Sequence, residues 1–206
     1  MTAWRACLRD ANGVTAIEFS MVAPVMVVLM LGLGDLGQQI YVQELLTGSL
    51  QKAARDSTLQ GATDRIGEID GAVLAMLRPV VKQPAASCAL KPAAGTYCSS
   101  RFAYATFGAV GPERFEDRNA NNQRDAGECF IDVNGNQQWD AQPGRAGQGG
   151  ADDVTLYTIS ITYRRLFPFA PLIGASSTQT VAAQTLLKNQ PYTRQTMVHT
   201  AARLCT

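Results

Sequence analysis

Asp117, Asn119, Asn121, Gln123, Asp125 and Glu128 occupy positions 1, 3, 5, 7, 9 and 12 of one polar run. Alternating oxygen donors on a tightly wound loop can surround a hard cation, and a glutamate at the last position closes the sphere with both oxygens. Position 7 normally contributes its backbone carbonyl, so Gln123 need not coordinate through its side chain. A second series, Asp132, Asn134, Asn136, Gln138 and Asp140, repeats the spacing. The chemistry expected is Ca2+ binding. Few carboxylates per loop place the affinity at about 10⁻⁴ to 10⁻³ M, typical of extracellular modules.

Two features depart from that pattern. Position 6, usually glycine, is Asn122 in the first loop and Gln137 in the second, and Asn tolerates left-handed geometry better than Gln. Position 12 of the second loop is Pro143, so that loop lacks the closing acid. Asp and Asn also make solvated turns without any metal. Duplication in tandem, with one copy ending in Glu, favours the metal. The pair resembles EF-hand-like or dockerin-type calcium loops. Trp139 beside Asp140 is expected to be an apolar anchor for the insert.

The second group with chemical potential is Gly13, Val14, Glu18 and Phe19. Gly13 is a small, flexible cleavage point. Glu18 lies five residues beyond it, and the chain then runs apolar from Phe19 to Leu33. A bilayer core of about 30 Å needs roughly 20 apolar residues in a helix, and the stretch from Ala16 to Leu36 suffices. Pro24 is tolerable in a membrane helix whose neighbours re-satisfy the backbone, and Asp35 is expected near the outer interface. Ahead of Gly13, Arg5 and Arg9 outnumber Asp10 and favour the cytoplasmic side. The apolar core of a secretory signal would precede its cut, whereas here it follows.

Glycine, four residues, glutamate, an aromatic and then an apolar helix is the arrangement of a type IV prepilin. The stretch GVTAIEFSMVAPVMVVLMLGLGDLGQQIYVQELLTGSLQKAARDSTLQG resembles the N-terminal region of the TadE-like minor pseudopilins of tight-adherence (Flp-type) systems. The resemblance implies cleavage by a prepilin peptidase between Gly13 and Val14. It also implies pairing of the freed Val14 amine with Glu18 of a neighbour, since an unpaired acid in lipid costs about 2.5 to 3.5 kcal/mol. The plainer reading of Glu18 is a flanking charge on a signal anchor. Implied partners are the peptidase, other pilus or pseudopilin subunits through the N-terminal helix, and the membrane. The implied location is a single pass of a bacterial inner membrane, with the C-terminal domain periplasmic, or extracellular in an assembled pilus.

The chain has 206 residues and a formal charge of +1, with no basic stripe for nucleic acid. Of its five cysteines, cleavage after Gly13 discards Cys7 and leaves Cys88, Cys98, Cys129 and Cys205. An even number fits an oxidising compartment, and four cysteines allow three connectivities. Cys88 and Cys98 bracket a short loop and are the favoured pair, with Cys129 and Cys205 as the remainder. None has CxxC spacing.

The expected architecture is α+β. It comprises a leader over 1–13, a transmembrane and extended helix over 14–61, and an extracytoplasmic domain over 62–206 that contains the calcium-loop insert 116–144. Val42, Leu45, Leu46, Ser49, Leu50, Ala53 and Ala54 recur at helical spacing, with Gly61 as a stop. Ile66, Ile69, Val73, Leu77 and Val80 mark a second amphipathic helix, capped by Thr63 and ending near Pro79. Phe102, Tyr104 and Thr106 alternate as a strand, and Val154 to Arg165 does so more strongly, with Tyr157, Ile159, Ile161 and Tyr163 on one face. Thr178 to Lys188 is a second strand, antiparallel to it across RLFPFAPLIGAS. The layout ITYRRLFPFAPLIG…QTLLKNQPY also resembles the C-terminal part of TadE-like proteins. GRAGQGGADD reads as a flexible connector, and Asp152 with Asp153 as a solvated turn.

His199 is the one histidine, and no phosphate-binding, nucleophile-elbow or zinc-protease signature occurs. The expectation is therefore not an enzyme. It is a membrane-anchored minor pseudopilin of a Tad-type pilus or secretion apparatus. The alternative is an uncleaved, calcium-dependent surface adhesin or receptor.

Overall fold

The computed structural model describes residues 12–58, 65–167, 174, 176–190 and 201–205, with side chains from residue 15. Cys7, Gly61, Thr63 and His199 lie outside the described residues. Helix α1 spans Asn12–Ser57 and runs unbroken through Pro24. The chain divides into two compact units, Met1–Tyr41 with Arg165–Ser177, and Val42–Arg164 with Thr178–Thr206. The architecture is α+β.

In the first unit the apolar side chains of α1 face outward, from Ile17 and Phe19 through Met30 and Leu33 to Ile40 and Tyr41. This helix is long and apolar enough to cross a membrane.

In the second unit the same helix turns amphipathic. Val42, Leu46, Leu50, Ala53 and Ala54 are buried at three- and four-residue spacing, the expected stripe. They share a core with Ile69, Val73 and Leu77 from helix α2 (Ile66–Met76) and its C-cap. The N-cap of α2 falls at Arg65 rather than at the expected Thr63, and no side chain caps it. Glu68, which a capping box would use, instead pairs with Arg65 at 2.8 Å. Pro79 follows the end of the helix closely, as a residue that cannot continue it.

The other wall of this core is a five-stranded mixed sheet built from β1 (Ala85–Ala86), β2 (Thr96–Tyr104), β4 (Arg145–Ala146), β5 (Val154–Arg164) and β6 (Thr178–Lys188). Its path is β1-β2-β5-β6, with β4 pairing β2. Strands β5 and β6 pair antiparallel over their full length, Val154 against Lys188 to Arg164 against Thr178. Strand β2 flanks β5, also antiparallel, and only the two-residue β1 runs parallel to its neighbour. Tyr157, Ile159, Ile161 and Tyr163 are buried on the helix-facing side, as their alternation demands.

Three local expectations give way. Strand β2 starts at Thr96 and ends at Tyr104, because Phe107–Ala109 turns into a 3-10 helix. Ala103, Tyr104 and Ala105 are all buried, so period-two reading fails there. The GRAGQGGADD segment is packed, not a flexible connector: it contributes β4, and Gln148 and Ala151 are buried. Gly149 has φ +75°, and a Cβ there would meet that of Ala103 at 2.6 Å. Glycine in this place serves close approach. Asp153 is likewise buried, accepting from the Gly150 N–H at 2.7 Å, whereas Asp152 stays exposed beside Lys188.

Candidate functional site

The insert is built on a two-stranded antiparallel sheet, β3 (Cys129–Asp132) against β7 (Ala202–Cys205). Strand β3 joins the two polar loops directly: Glu128 closes the first and Asp132 opens the second. Cys129 opposes Cys205 in the register and is disulfide-bonded to it. Cys88 and Cys98 form the other bond, so the favoured pairing is the one present. Phe130 is buried and pairs with Phe115 through an isolated antiparallel bridge, and the Arg124 guanidinium lies 5.2 Å over its ring.

The loops repeat most of each other's hydrogen bonds and differ at position 1, whose acid takes the position-5 and position-6 N–H groups in the first loop and those of positions 4 and 6 in the second. In the first, Asp117 accepts from the Asn121 and Asn122 N–H groups at 3.2 and 2.7 Å. In the second, Asp132 accepts from Gly135 and Gln137 at 2.6 and 2.8 Å. The position-3 amides, Asn119 and Asn134, accept from the backbone two residues on at 3.1 Å each. Asn121 and Asn136 at position 5 do the same toward Gln123 and Gln138 at 2.7 and 2.8 Å. The amide N–H groups of Asn119 and Asn121 converge on one oxygen of Asp125 at 2.7 and 2.8 Å, and those of Asn134 and Asn136 on one of Asp140 at 2.7 Å each. Positions 4 and 6 are left-handed in both: φ is 57° at Ala120 and 59° at Asn122, 78° at Gly135 and 64° at Gln137.

Closure is where sequence and structure part. Glu128 is buried and accepts from the Arg118 N–H at 2.9 Å and the Asp125 N–H at 3.0 Å, bridging positions 2 and 9 of its own loop. The second loop has the same bridge, made by Glu113. Its oxygens accept from Val133, again position 2, at 2.8 Å and from Asp140, again position 9, at 3.0 Å. Glu113 is only 3 % exposed. The bridge that Pro143 cannot make in the second loop is made by an acid upstream of both loops. Trp139 holds it there: the indole N–H donates to the Glu113 carbonyl at 2.8 Å, and the ring meets Phe115 edge to face at 6.0 Å.

The donor set of each loop is three carboxylates and two amides, all hard oxygen chemistry suited to calcium rather than a softer metal. Among the described residues, no three Asp, Glu, His or Cys side chains form a ready-made cage. Asn amide N–H groups fill each loop centre, and the carboxylates spread around them.

On α1, Gly13 and Val14 fall in the first turn, and Glu18 and Phe19 are exposed just beyond. At the far end of the apolar run Asp35 is almost fully buried, in an ion pair with Arg165. Gln38 accepts from the Leu166 N–H at 3.1 Å, and Phe167 lies so close to Gly34 that a Cβ there would fall 2.7 Å from its ring.

No curated protein and no solved structure matches the chain significantly. The family model for TadE-like protein matches residues 13–55. Helix α1, from its first turn almost to its last, is thus similar to the TadE-like family over this segment.

Proposed function

We propose that the protein is a membrane-anchored minor pseudopilin that takes part in assembling a Tad-type pilus or secretion apparatus, without catalytic activity of its own. The observation that carries this reading is the coincidence of the TadE-like match over residues 13–55 with the one membrane-length helix among the described residues. A prepilin peptidase cleaves between Gly13 and Val14. The Val14 amine of one subunit then pairs with Glu18 of another, drawing their helices together within the bilayer. The domain beyond the membrane faces an oxidising compartment, which its two disulfides support. Mass spectrometry of the protein from its own host is expected to find Val14 as the first residue; an intact Met1 terminus overturns the cleavage step.

The paired loops act as calcium staples for the domain. Asp117, Asn119, Asn121, Asp125 and Glu128 hold one ion. Asp132, Asn134, Asn136, Asp140 and Glu113 hold the other, with the Gln123 and Gln138 carbonyls at position 7. Binding exchanges the inward amide N–H contacts for oxygen contacts, and that rearrangement keeps the affinity low. Calorimetry on the detergent-solubilised chain is expected to show two weak sites. Asp117→Ala should remove one and Glu113→Ala the other. Absence of both heat and a thermal shift on adding calcium removes the metal from the reading.

A further inference from the structure

The connection between β5 and β6 is the most apolar stretch outside α1: from residue 166 to residue 177 it carries no charged side chain. Its base is tied to α1 at one level. Arg165 pairs with Asp35, the Leu166 N–H donates to Gln38, and Phe167 packs on Gly34. The neck is also closed on itself. The Arg165 N–H donates to Ser177 O at 3.1 Å and its Nε to Ser176 O at 2.9 Å. These groups of Arg165, Ser176 and Ser177 are satisfied internally, as polar groups close to a membrane must be.

The level of attachment matters. At 1.5 Å per residue, Thr15 to Asp35 covers roughly 30 Å, the hydrocarbon thickness, and Thr15 to Tyr41 roughly 40 Å, the bilayer with its headgroups. Gly34 and Asp35 thus stand at the hydrocarbon boundary. The helix surface stays apolar past that point, with Leu36, Ile40 and Tyr41 more than half exposed, and Leu166 beside them is 59 % exposed. Apolar side chains such as Leu166 and Phe167, fixed to a membrane helix at this depth, meet lipid before they meet water. The burial of Asp35 has the same sense, because an acid at the hydrocarbon edge is tolerated when a cation neutralises it.

We propose that Leu166 and Phe167, at the base of the β5–β6 connection, make a second membrane contact, seated in the interfacial layer of the bilayer beside α1. The occupant of this surface is a phospholipid bilayer, and the proposal rests on the reading of α1 as a membrane anchor. The test reconstitutes the full chain in phosphatidylcholine vesicles carrying lipids brominated on the acyl chains. Tryptophan emission is read for Leu166→Trp and for Met30→Trp, each against the parent with its own Trp4 and Trp139. Both sites are exposed, so the substitutions leave packing intact. The added emission of both variants is expected to fall about twofold or more, as for an aromatic seated in the bilayer or its interface. Quenching at Met30→Trp without quenching at Leu166→Trp overturns the proposal while the anchor stands, and places Leu166 outside the bilayer. Quenching at neither site overturns the anchor and this proposal together.

Discussion

Ala120 and Gln137 hold left-handed backbone that their side chains resist, with φ of 57° and 64°. Such a conformation costs an L-residue about 1 to 2 kcal/mol, partly offset because glycine gives the unfolded chain more freedom, about 0.5 to 1 kcal/mol. Ala120→Gly and Gln137→Gly are therefore each expected to stabilise the protein by about 0.5 to 1 kcal/mol, raising Tm by about 2 °C in a thermal scan. Gly135→Ala, at the position equivalent to Ala120, should lower it. Residue spacing alone marked the loop positions, because a repeat of oxygen donors every second residue is a local pattern. Glu113 was not legible, since it lies outside both repeats and reaches its loop through tertiary packing on Trp139. The only hint was the missing acid at Pro143.

Between elements, the key join is Asp70 of α2 with Arg101 of β2 and Tyr157 of β5. Asp70 accepts from Arg101 and from the Tyr157 hydroxyl at 2.6 Å each, and from Ser99 at 2.7 Å. The Arg101 guanidinium also stacks 3.9 Å over the Tyr157 ring. Burial by itself raises the Asp70 pKa, but the hydrogen bonds from Arg101, Tyr157 and Ser99 outweigh it and hold the carboxyl below the usual range. Burial, then the bond to Asp70 and its charge, pushes the Tyr157 phenol up. A carboxyl whose folded pKa is depressed contributes stability fully above its unfolded pKa, about 3.9, and loses it as pH falls toward the folded value. Denaturation midpoints measured from pH 5 downward should drop in the parent and be flatter in Asp70→Leu/Arg101→Met. Asp70→Ala alone leaves Arg101 buried and unpaired and should cost about 3 to 5 kcal/mol, more than the double replacement. The long elements could be read from periodicity: the α1 stripe, β5, and β6 at its Thr178–Lys188 limits. The short ones could not. Strands β1, β3, β4 and β7 have four residues or fewer, too few for a period, and exist because a partner strand or disulfide holds them.

At the scale of the whole chain, the disulfides close loops of very different size, with separations of 10 and 76 residues. Chain entropy assigns about 3 kcal/mol to the shorter and about 4.5 kcal/mol to the longer. Cys205→Ser should thus destabilise the protein more than Cys98→Ser in chemical denaturation, and should release the insert in particular, because β3 loses its tie to β7. The connectivity also has a temporal meaning. The four disulfide-bonded cysteines pair in order along the chain, Cys88 with Cys98 and Cys129 with Cys205. A polypeptide threaded across a membrane from its N-terminal side presents Cys88 and Cys98 to an oxidase while the later two are still inside. Each thiol meets its native mate before any rival, so the protein should mature with a dithiol oxidase alone. Export in a host lacking disulfide isomerase is expected to give the same yield of correctly bridged chain, read by non-reducing peptide mapping, whereas loss of the oxidase should abolish it.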